Sequence, residues 1–163
     1  MGFGRGIQST VFRGGATGLK PVIPVGWNDL AAAAQRAMTK EAWAYVAGSA
    51  GNESTEAANR AAIDRWRIVP RVLRDVDQRD LSVELFGHRH ATPLLAAPVG
   101  VLGMAHKDAD VAVGRTAARL GAPYILSTQA SAPMEEVAAA IGDAPRWFQL
   151  YWSTAPRTAL RAG

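Results

Sequence analysis

The stretch Leu94-Leu-Ala-Ala-Pro-Val-Gly-Val-Leu-Gly103 decides how the rest of the chain is interpreted. Its four apolar residues, 94 to 97, run directly into a proline, and glycines follow at positions 100 and 103. This pattern is typical of a buried strand that leads into a turn where the backbone approaches another group closely. In parallel α/β folds the carboxyl ends of the strands carry the ligand sites, so this turn is the first candidate for function.

Two further strand and helix units follow this stretch. The apolar pattern predicts strands over 124–127 and 147–151, and helices over 107–120 and 132–141, with Ser131 as the N-cap of the second helix. Another helix is expected to open after Ser153 or Thr154. About three β-α units at this spacing indicate an α/β protein with parallel strands joined by crossover helices. A doubly wound sheet and a (β/α)8 barrel both begin this way, and a barrel needs eight units and ~250 residues.

The residues before position 93 predict a different organisation. Residues 1–26 contain no acidic residue and no clear apolar period, and we expect them to form a flexible tail. A helical lead-in follows, with helices over about 30–37, 39–47 and 53–65, the first capped by Asn28 or Asp29. The alternation from Leu81 to Phe86 predicts a half-exposed strand, and residues 87–90 the turn after it.

Composition excludes several classes of function. The 163 residues include no cysteine, which rules out disulfides, a thiolate nucleophile and thiolate-bound zinc, and we expect a cytoplasmic protein. No apolar run is long enough to span a membrane. The net charge of +4 accompanies basic residues interleaved with acidic ones over 60–89, which favours a solvated, ion-paired surface over nucleic-acid binding. His88 and His90 have no third ligand nearby, so no metal site is expected.

Polar residues stand at the carboxyl ends of all three predicted strands. These ends are Pro98-Val99-Gly100, Ser127-Thr128-Gln129 and Gln149-Leu150-Tyr151. Together they form a neutral, hydrogen-bonding rim, which suits a planar heterocycle with both donors and acceptors, such as a flavin ring. The alternative is that these residues simply terminate the strands.

Several motifs in this order resemble the FMN-dependent 2-hydroxy acid oxidases and dehydrogenases. The similarity runs from about Trp27 to the end and rests on segments that match in sequence order: YVAGSAGNE at 45–53, NR at 59–60, RIVPRVLRDV at 67–76, APVG at 97–100, LST at 126–128 and WFQLY at 147–151. Residues 27–163 would then be the N-terminal portion of such a domain, and the pairing of Pro-Val-Gly with the helical lead-in is most similar to the lactate 2-monooxygenase branch. Many members carry Pro-Thr-Ala at this place, and a glycine at position 100 is expected to open space above the flavin.

The resemblance implies a TIM barrel that holds FMN at its C-terminal mouth. Pro98, Val99 and Gly100 would lie along the flavin, and Ser127 and Gln149 would bond the polar atoms of its ring. Tyr45 and Tyr151 would direct hydroxyl groups at the carboxylate and the 2-oxygen of a small hydroxy acid. The substrate would be lactate or a similar acid, oxygen or another acceptor would reoxidise the flavin, and a homo-oligomer is expected for the full-length enzyme.

The resemblance also implies that important parts lie outside this sequence. The family's catalytic histidine, substrate-binding arginine, flavin-contacting lysine and phosphate loops belong to later strands, and none of the histidines at 88, 90 and 106 matches the catalytic motif. As given, the chain is therefore expected to be an inactive N-terminal fragment. The alternative function, from another class, is a non-catalytic binding module whose partner completes the barrel.

Overall fold

A computed structural model describes residues 3–152 and divides into two compact units, one up to Arg60 and one from Ala61 onward. The predicted helix after Ser153 or Thr154 lies outside the described residues.

The first unit is helical. It contains α1 (Phe3–Ala16), α2 (Trp27–Ala37), α3 (Lys40–Ala47) and the greater part of α4 (Ser54–Asp64). The three lead-in helices are confirmed to within about three residues at each end, and the hydroxyl of Thr39 caps α3 by accepting the Ala42 N–H at 3.2 Å. The expected cap of α2 at Asn28 or Asp29 is wrong, because the helix begins earlier and its N-cap is Gly26.

The helix α1 departs from the expected tail, since glycines at 4, 6, 14 and 15 obscure its period. Each glycine in a helix interior costs ~1 kcal/mol relative to alanine, which is why the pattern argues against a helix. Ile7 and Val11 do stand four residues apart, as one helix face requires. The absence of an apolar period over residues 1–26 therefore does not prevent a helix from forming, and the flexibility of this segment stays a prediction.

In the second unit an antiparallel hairpin replaces the single strand expected over 81–86. Strand β1 (Val83–Leu85) pairs with β2 (His88–His90), and Leu85 is opposite His88, so the connecting loop is Phe86-Gly87. Both loop residues have positive φ, 51° and 76°, as the tight turns that favour hairpins require. The assignment of His88 and His90 to a turn is thus wrong, because Phe-Gly makes the turn two residues earlier.

The parallel part of the fold centres on β3 (Tyr124–Ser127). It pairs in parallel with β4 (Arg146–Gln149) on one side and, through Ala96 alone, with the 94–97 segment on the other. The Ala96 N–H donates to the Pro123 carbonyl at 2.9 Å, and the Ile125 N–H donates to the Ala96 carbonyl at 3.0 Å. The predicted strand 94–97 is therefore reduced to one bridge, since Pro93 and Pro98 on either side cannot donate to a ladder.

Two helices cover one face of this sheet. They are α5 (Ala109–Arg119) and α6 (Met134–Ile141), and a short 3₁₀ turn (Leu102–Met104) precedes α5. The buried core lies beneath them and consists of Ala117, Tyr124, Leu126, Val137 and Ile141. A Cβ on Gly114 would stand 2.9 Å from the Ile141 Cγ2, so α5 and α6 approach each other as closely as a glycine allows. The structure thus contains the start of a parallel α/β sheet, with no closed barrel among the residues described.

Candidate functional site

The ends of β3 and β4 bring two of the expected site residues together. Ser127 is directly opposite Gln149 in the parallel ladder, so both side chains lie on the same face of the sheet. Ser127 is 2% exposed, and its hydroxyl donates to the Gln149 Oε1 at 3.2 Å and accepts the Gln129 N–H at 3.1 Å. Because Tyr124 and Leu126 face the helices, strand alternation directs Ser127 to the opposite face, away from the core.

The glycine turn, residues 98–103, rests on the segment that follows β3. The Val101 N–H donates to the Gln129 carbonyl at 2.9 Å, and Val101 itself is left-handed with φ 48°. A β-branched residue in this region is strained by about 1–3 kcal/mol, so the contact with Gln129 helps to hold an unfavourable backbone.

The reason for glycine at position 100 differs from the one expected. A Cβ there would stand 3.0 Å from the Gln129 Cβ and 3.8 Å from the Ser127 Oγ. The space that Gly100 leaves open therefore faces the segment after β3, and the expectation that it opens room above a bound ring is not what these contacts indicate. Glycine suits this position because a Cβ would press against the Gln129 Cβ where the two strand ends approach each other.

Several hydrogen-bonding groups at this edge have no partner among residues 3–152. They are the N–H groups of Val99 and Gly100 and the side-chain NH₂ of Gln149. Val99 is about half exposed, while Gly100 and Gln149 are partly buried. Polar groups left unpaired beside a close backbone approach suit a flat ligand that accepts hydrogen bonds along one edge. A flavin ring has this character, so the residues present fit FMN.

The two tyrosines stand in different places. Tyr151 is half exposed, and its backbone N–H donates to the Thr128 Oγ1 at 3.0 Å, while that hydroxyl donates to the Gln149 carbonyl. Through these two hydrogen bonds, the Thr128 hydroxyl at the end of β3 binds the backbone at the end of β4. Tyr45 lies on α3, 62% exposed, in the helical unit. The structure brings together Gly100, Ser127, Gln149 and the backbone of Tyr151, and Tyr45 belongs to the other unit.

The site residues predicted from the sequence do not include one buried carboxylate near this edge. Asp110, which has no exposed surface, accepts the Tyr124 hydroxyl at 3.0 Å and the N–H groups of Ser131 and Ala132 at 2.8 and 3.1 Å. Burial, followed by the hydrogen bond to Asp110, raises the pKa of Tyr124 above its ordinary value. The sequence indicates only an acidic residue favouring a helix N-terminus, and nothing in its spacing indicates burial.

The expectation that Ser131 caps α6 is wrong. The N-cap is Pro133, and the Ser131 hydroxyl instead accepts the Gly103 N–H at 2.8 Å. The Ser131 hydroxyl therefore stabilises the glycine turn and does not cap α6.

Two further features of residues 3–152 bear on the chemistry. No three histidine, aspartate or glutamate side chains in this range lie close enough together to hold a metal ion. None of the helices described combines the length and the apolar character that a bilayer crossing requires.

Comparisons with known proteins relate this site to flavin enzymes. An FMN-dependent alpha-hydroxy acid dehydrogenase of Penicillium citrinum is 45% identical over 119 residues, which are 73% of this chain and 30% of that protein. An L-lactate oxidase of Lysinibacillus sphaericus is 43% identical over 80% of this chain and 34% of its own length. The crystal structure of a mandelate oxidase superposes with a TM-score of 0.74 and 36% identity over 83% of this chain and 40% of that one.

The chain thus spans about a third of the length of the curated relatives it matches. The sequence profile of the FMN-dependent dehydrogenases matches residues 34–161, which is most of the chain. This match contains the 97–100, 126–128 and 147–151 motifs that form the strand ends described above. The chain therefore belongs to the FMN-dependent dehydrogenase family.

Proposed function

We propose that the complete protein oxidises a small L-2-hydroxy acid, lactate or a close analogue, to the keto acid with FMN as cofactor. The observation that carries this proposal is the edge where Val99 and Gly100 present N–H groups, which have no partner among residues 3–152, beside the Ser127–Gln149 pair. Family membership supports the cofactor, and the lactate and mandelate oxidases among the relatives support the substrate class.

The proposed roles follow from what each group offers. The glycine turn, with Pro98 at its start, borders one edge of the ring, and the N–H groups of Val99 and Gly100 donate to it. Ser127 has its donor engaged by Gln149, so it fixes the Gln149 amide, whose NH₂ then points at the ring as a donor. FMN, when bound, supplies a two-electron acceptor for the hydrogen that leaves the substrate Cα.

Two tyrosines are proposed to hold the substrate. Tyr151, fixed through its backbone to Thr128, would donate its hydroxyl to the substrate's 2-oxygen, and Tyr45 would donate to the carboxylate. Removal of the hydroxyl proton needs a general base, which we propose to come from residues beyond position 163. Closure of the parallel sheet into a barrel is part of the same proposal, because the ends of its strands would then surround the site.

The test is to express the complete reading frame that contains this chain. We expect a yellow protein whose visible flavin absorption bleaches on anaerobic addition of L-lactate and returns with oxygen. Quantifying pyruvate, acetate and carbon dioxide distinguishes simple oxidation from oxidation with decarboxylation, as in lactate 2-monooxygenases. A colourless, folded protein would refute the proposal, and flavin that L-lactate fails to reduce would refute its substrate.

The alternative function, a non-catalytic binding module, makes a different prediction. Residues 1–163 alone would then form a complex of defined stoichiometry with a separate partner, as size-exclusion chromatography with light scattering would show. Failure to find such a complex, together with a flavin-containing complete protein, decides for the enzyme.

A further inference from the structure

Asp110 is the most completely enclosed charged group among the residues described. It stands in the first turn of α5, its side chain has no exposed surface, and its two carboxylate oxygens accept three hydrogen bonds. The donors come from two other places in the fold: the Tyr124 hydroxyl in β3, and the N–H groups of Ser131 and Ala132. Burying a carboxylate is costly unless such donors are in place, so the three bonds specify one arrangement of these elements.

The β3–α6 loop, residues 128–133, is the segment that Asp110 fixes. This loop in turn holds the glycine turn at two points: the Gln129 carbonyl accepts the Val101 N–H at 2.9 Å, and the Ser131 hydroxyl accepts the Gly103 N–H at 2.8 Å. Ser131 therefore connects the two: its N–H donates to Asp110, and its hydroxyl accepts the Gly103 N–H of the glycine turn.

We infer that Asp110 is a positioning residue for the proposed flavin-binding edge, which is formed by the Val99 and Gly100 N–H groups and the Gln149 amide. Asp110 acts on this edge through the β3–α6 loop and the glycine turn. The inference rests on the proposed function, since the edge matters only if it borders FMN. The loop accepts hydrogen bonds from the N–H groups of Val101 and Gly103 in the turn. The N–H groups of Val99 and Gly100, which have no partner in the described part of the chain, come directly before Val101. Their direction is thus set by a segment that Asp110 holds, although Asp110 itself does not contact this edge.

The chemistry of the side chain predicts how substitutions differ. Alanine at position 110 leaves the buried Tyr124 hydroxyl and two partly buried backbone N–H groups without their acceptor. Asparagine has the same shape: its oxygen can accept both N–H groups, while its NH₂ donates to the Tyr124 oxygen, which becomes an acceptor. Asp110→Asn should therefore retain the arrangement that Asp110→Ala loses.

The experiment uses the complete reading frame as wild type, Asp110→Ala, Asp110→Asn and, as a matched control, Asp108→Ala, which removes a half-exposed carboxylate from the same helix start. FMN is titrated into each apoprotein, and the dissociation constant is read from quenching of flavin fluorescence. Amide hydrogen exchange of the apoproteins compares peptides containing Val101 and Gly103 with peptides from β3 and β4.

Substitution of residues that orient a metal's ligands without touching the metal typically costs 10–100-fold, and on that scale we expect Asp110→Ala to raise the FMN dissociation constant about tenfold or more. Exchange at Val101 and Gly103 should accelerate more than exchange in β3 and β4. Asp110→Asn should stay within about threefold of wild type, because its single oxygen still serves both backbone donors. The Asp108→Ala control should match the wild type in both measurements.

A purely structural role gives another result. Asp110→Ala would then lower thermal stability and accelerate amide exchange equally at Val101, at Gly103, in β3 and in β4, while the folded protein kept the wild-type FMN affinity. This outcome overturns the inference. If Asp110→Ala does not fold, Ser131→Ala decides, because it removes only the acceptor for the Gly103 N–H. Faster exchange at Gly103 with weaker FMN binding supports the relay, and unchanged values refute it. A wild-type protein that binds no FMN would refute the proposed function, whereas the exchange measurements would still report whether Asp110 fixes the turn.

Discussion

Gly114 on α5 lies against side chains of α6 and β3, which leave no room for a side chain of its own. A Cβ there would stand 2.9 Å from the Ile141 Cγ2 and 3.2 Å from the Tyr124 ring. Overpacking of this kind costs about 1–3 kcal/mol, whereas alanine gains only ~1 kcal/mol over glycine in helix propensity. We therefore expect Gly114→Ala to lower the free energy of unfolding, as measured by urea denaturation.

The control for Gly114 is a helical glycine with open space around it. A Cβ added to Gly6 in α1 would meet no atom within 4 Å, so Gly6→Ala should gain helix propensity without a clash. Its urea midpoint should equal or exceed that of the wild type. Gly114→Ala that proved as stable as Gly6→Ala would show that the two helices adjust freely at this contact.

The buried phenol of Tyr124 predicts a pH dependence with a definite sign. Its pKa is raised above the ordinary value of 10.0, so in the unfolded chain it ionises at a lower pH than in the fold. The neutral phenol stabilises the fold at every pH below that ordinary value, and this contribution is lost as the pH rises beyond it. Stability of the wild type should therefore fall steeply in alkaline solution.

The variant Tyr124→Phe isolates this effect. At neutral pH it should cost ~1 kcal/mol, because the hydrogen bond to Asp110 is lost and the carboxylate keeps its two backbone donors. Above the ordinary tyrosine pKa the gap between the variant and the wild type should narrow, as urea denaturation at both pH values would show. A gap that widened with pH would contradict the assigned burial.

The contacts of some single residues can be predicted from the sequence, and those of others cannot. The proximity of Ser127 and Gln149 is predictable because parallel strands bring their carboxyl ends to one edge, and the ladder places the two residues opposite each other. For Asp110 and Ser131 the sequence predicts only positions at helix ends. In the sequence, a first-turn carboxylate that solvent hydrates cannot be told from one that accepts hydrogen bonds from a distant loop. Only the tertiary contacts separate the two cases.

At the scale of elements, α6 is held to the sheet by a row of buried aliphatic residues. Ile141 is 7% exposed and touches both the core and the position of Gly114. Truncating a buried isoleucine to alanine costs about 2–5 kcal/mol, because the transfer energy is lost and a cavity remains. We expect Ile141→Ala to destabilise the second unit by that amount, measured by urea denaturation followed through tryptophan fluorescence.

An exposed isoleucine in the same unit provides the matched control. Ile63 on α4 is 69% exposed, and exposed substitutions usually change stability by less than about 0.5 kcal/mol. Equal losses for Ile63→Ala and Ile141→Ala would mean that the burial assigned to α6 does not determine stability.

The elements that the sequence predicts well are those with a long apolar period. The helices α3, α5 and α6 and the strand β3 agree with their predicted ranges to within about two residues, since helical spacing and apolar strand runs determine them locally. The elements that escape prediction depend on other contacts. The helix α1 contains four glycines, which obscure its apolar period. The hairpin has an unusual Phe-Gly turn, and the 94–97 strand pairs only at Ala96 because prolines flank it.

The whole molecule carries an apolar surface that its described residues do not cover. Between positions 66 and 76 the chain has no helix or strand, and its large apolar side chains are mostly exposed: Trp66 84%, Ile68 96%, Val69 79%, Val72 83%, Leu73 101% and Val76 57%. So many exposed large apolar side chains in a short segment favour an interaction site, although arginines at 67, 71 and 74 interleave with them. We expect this apolar segment, residues 66–76, to be buried in the complete protein.

A charged residue placed in the apolar segment tests that expectation, because it should act in opposite directions in the two contexts. In residues 1–163 alone, Leu73→Lys should reduce self-association, measured by light scattering, since it interrupts an exposed apolar surface. In the complete reading frame the same change should lower the melting temperature, because burying an unpaired ammonium is costly.

The control, Ile63→Lys, alters an exposed isoleucine of α4 outside the apolar segment and should leave the melting temperature of the complete protein unchanged. If Leu73→Lys also leaves it unchanged, the segment is exposed there as well, and a separate partner becomes the better candidate to cover it. A lowered melting temperature, in contrast, supports burial of residues 66–76 in the complete protein.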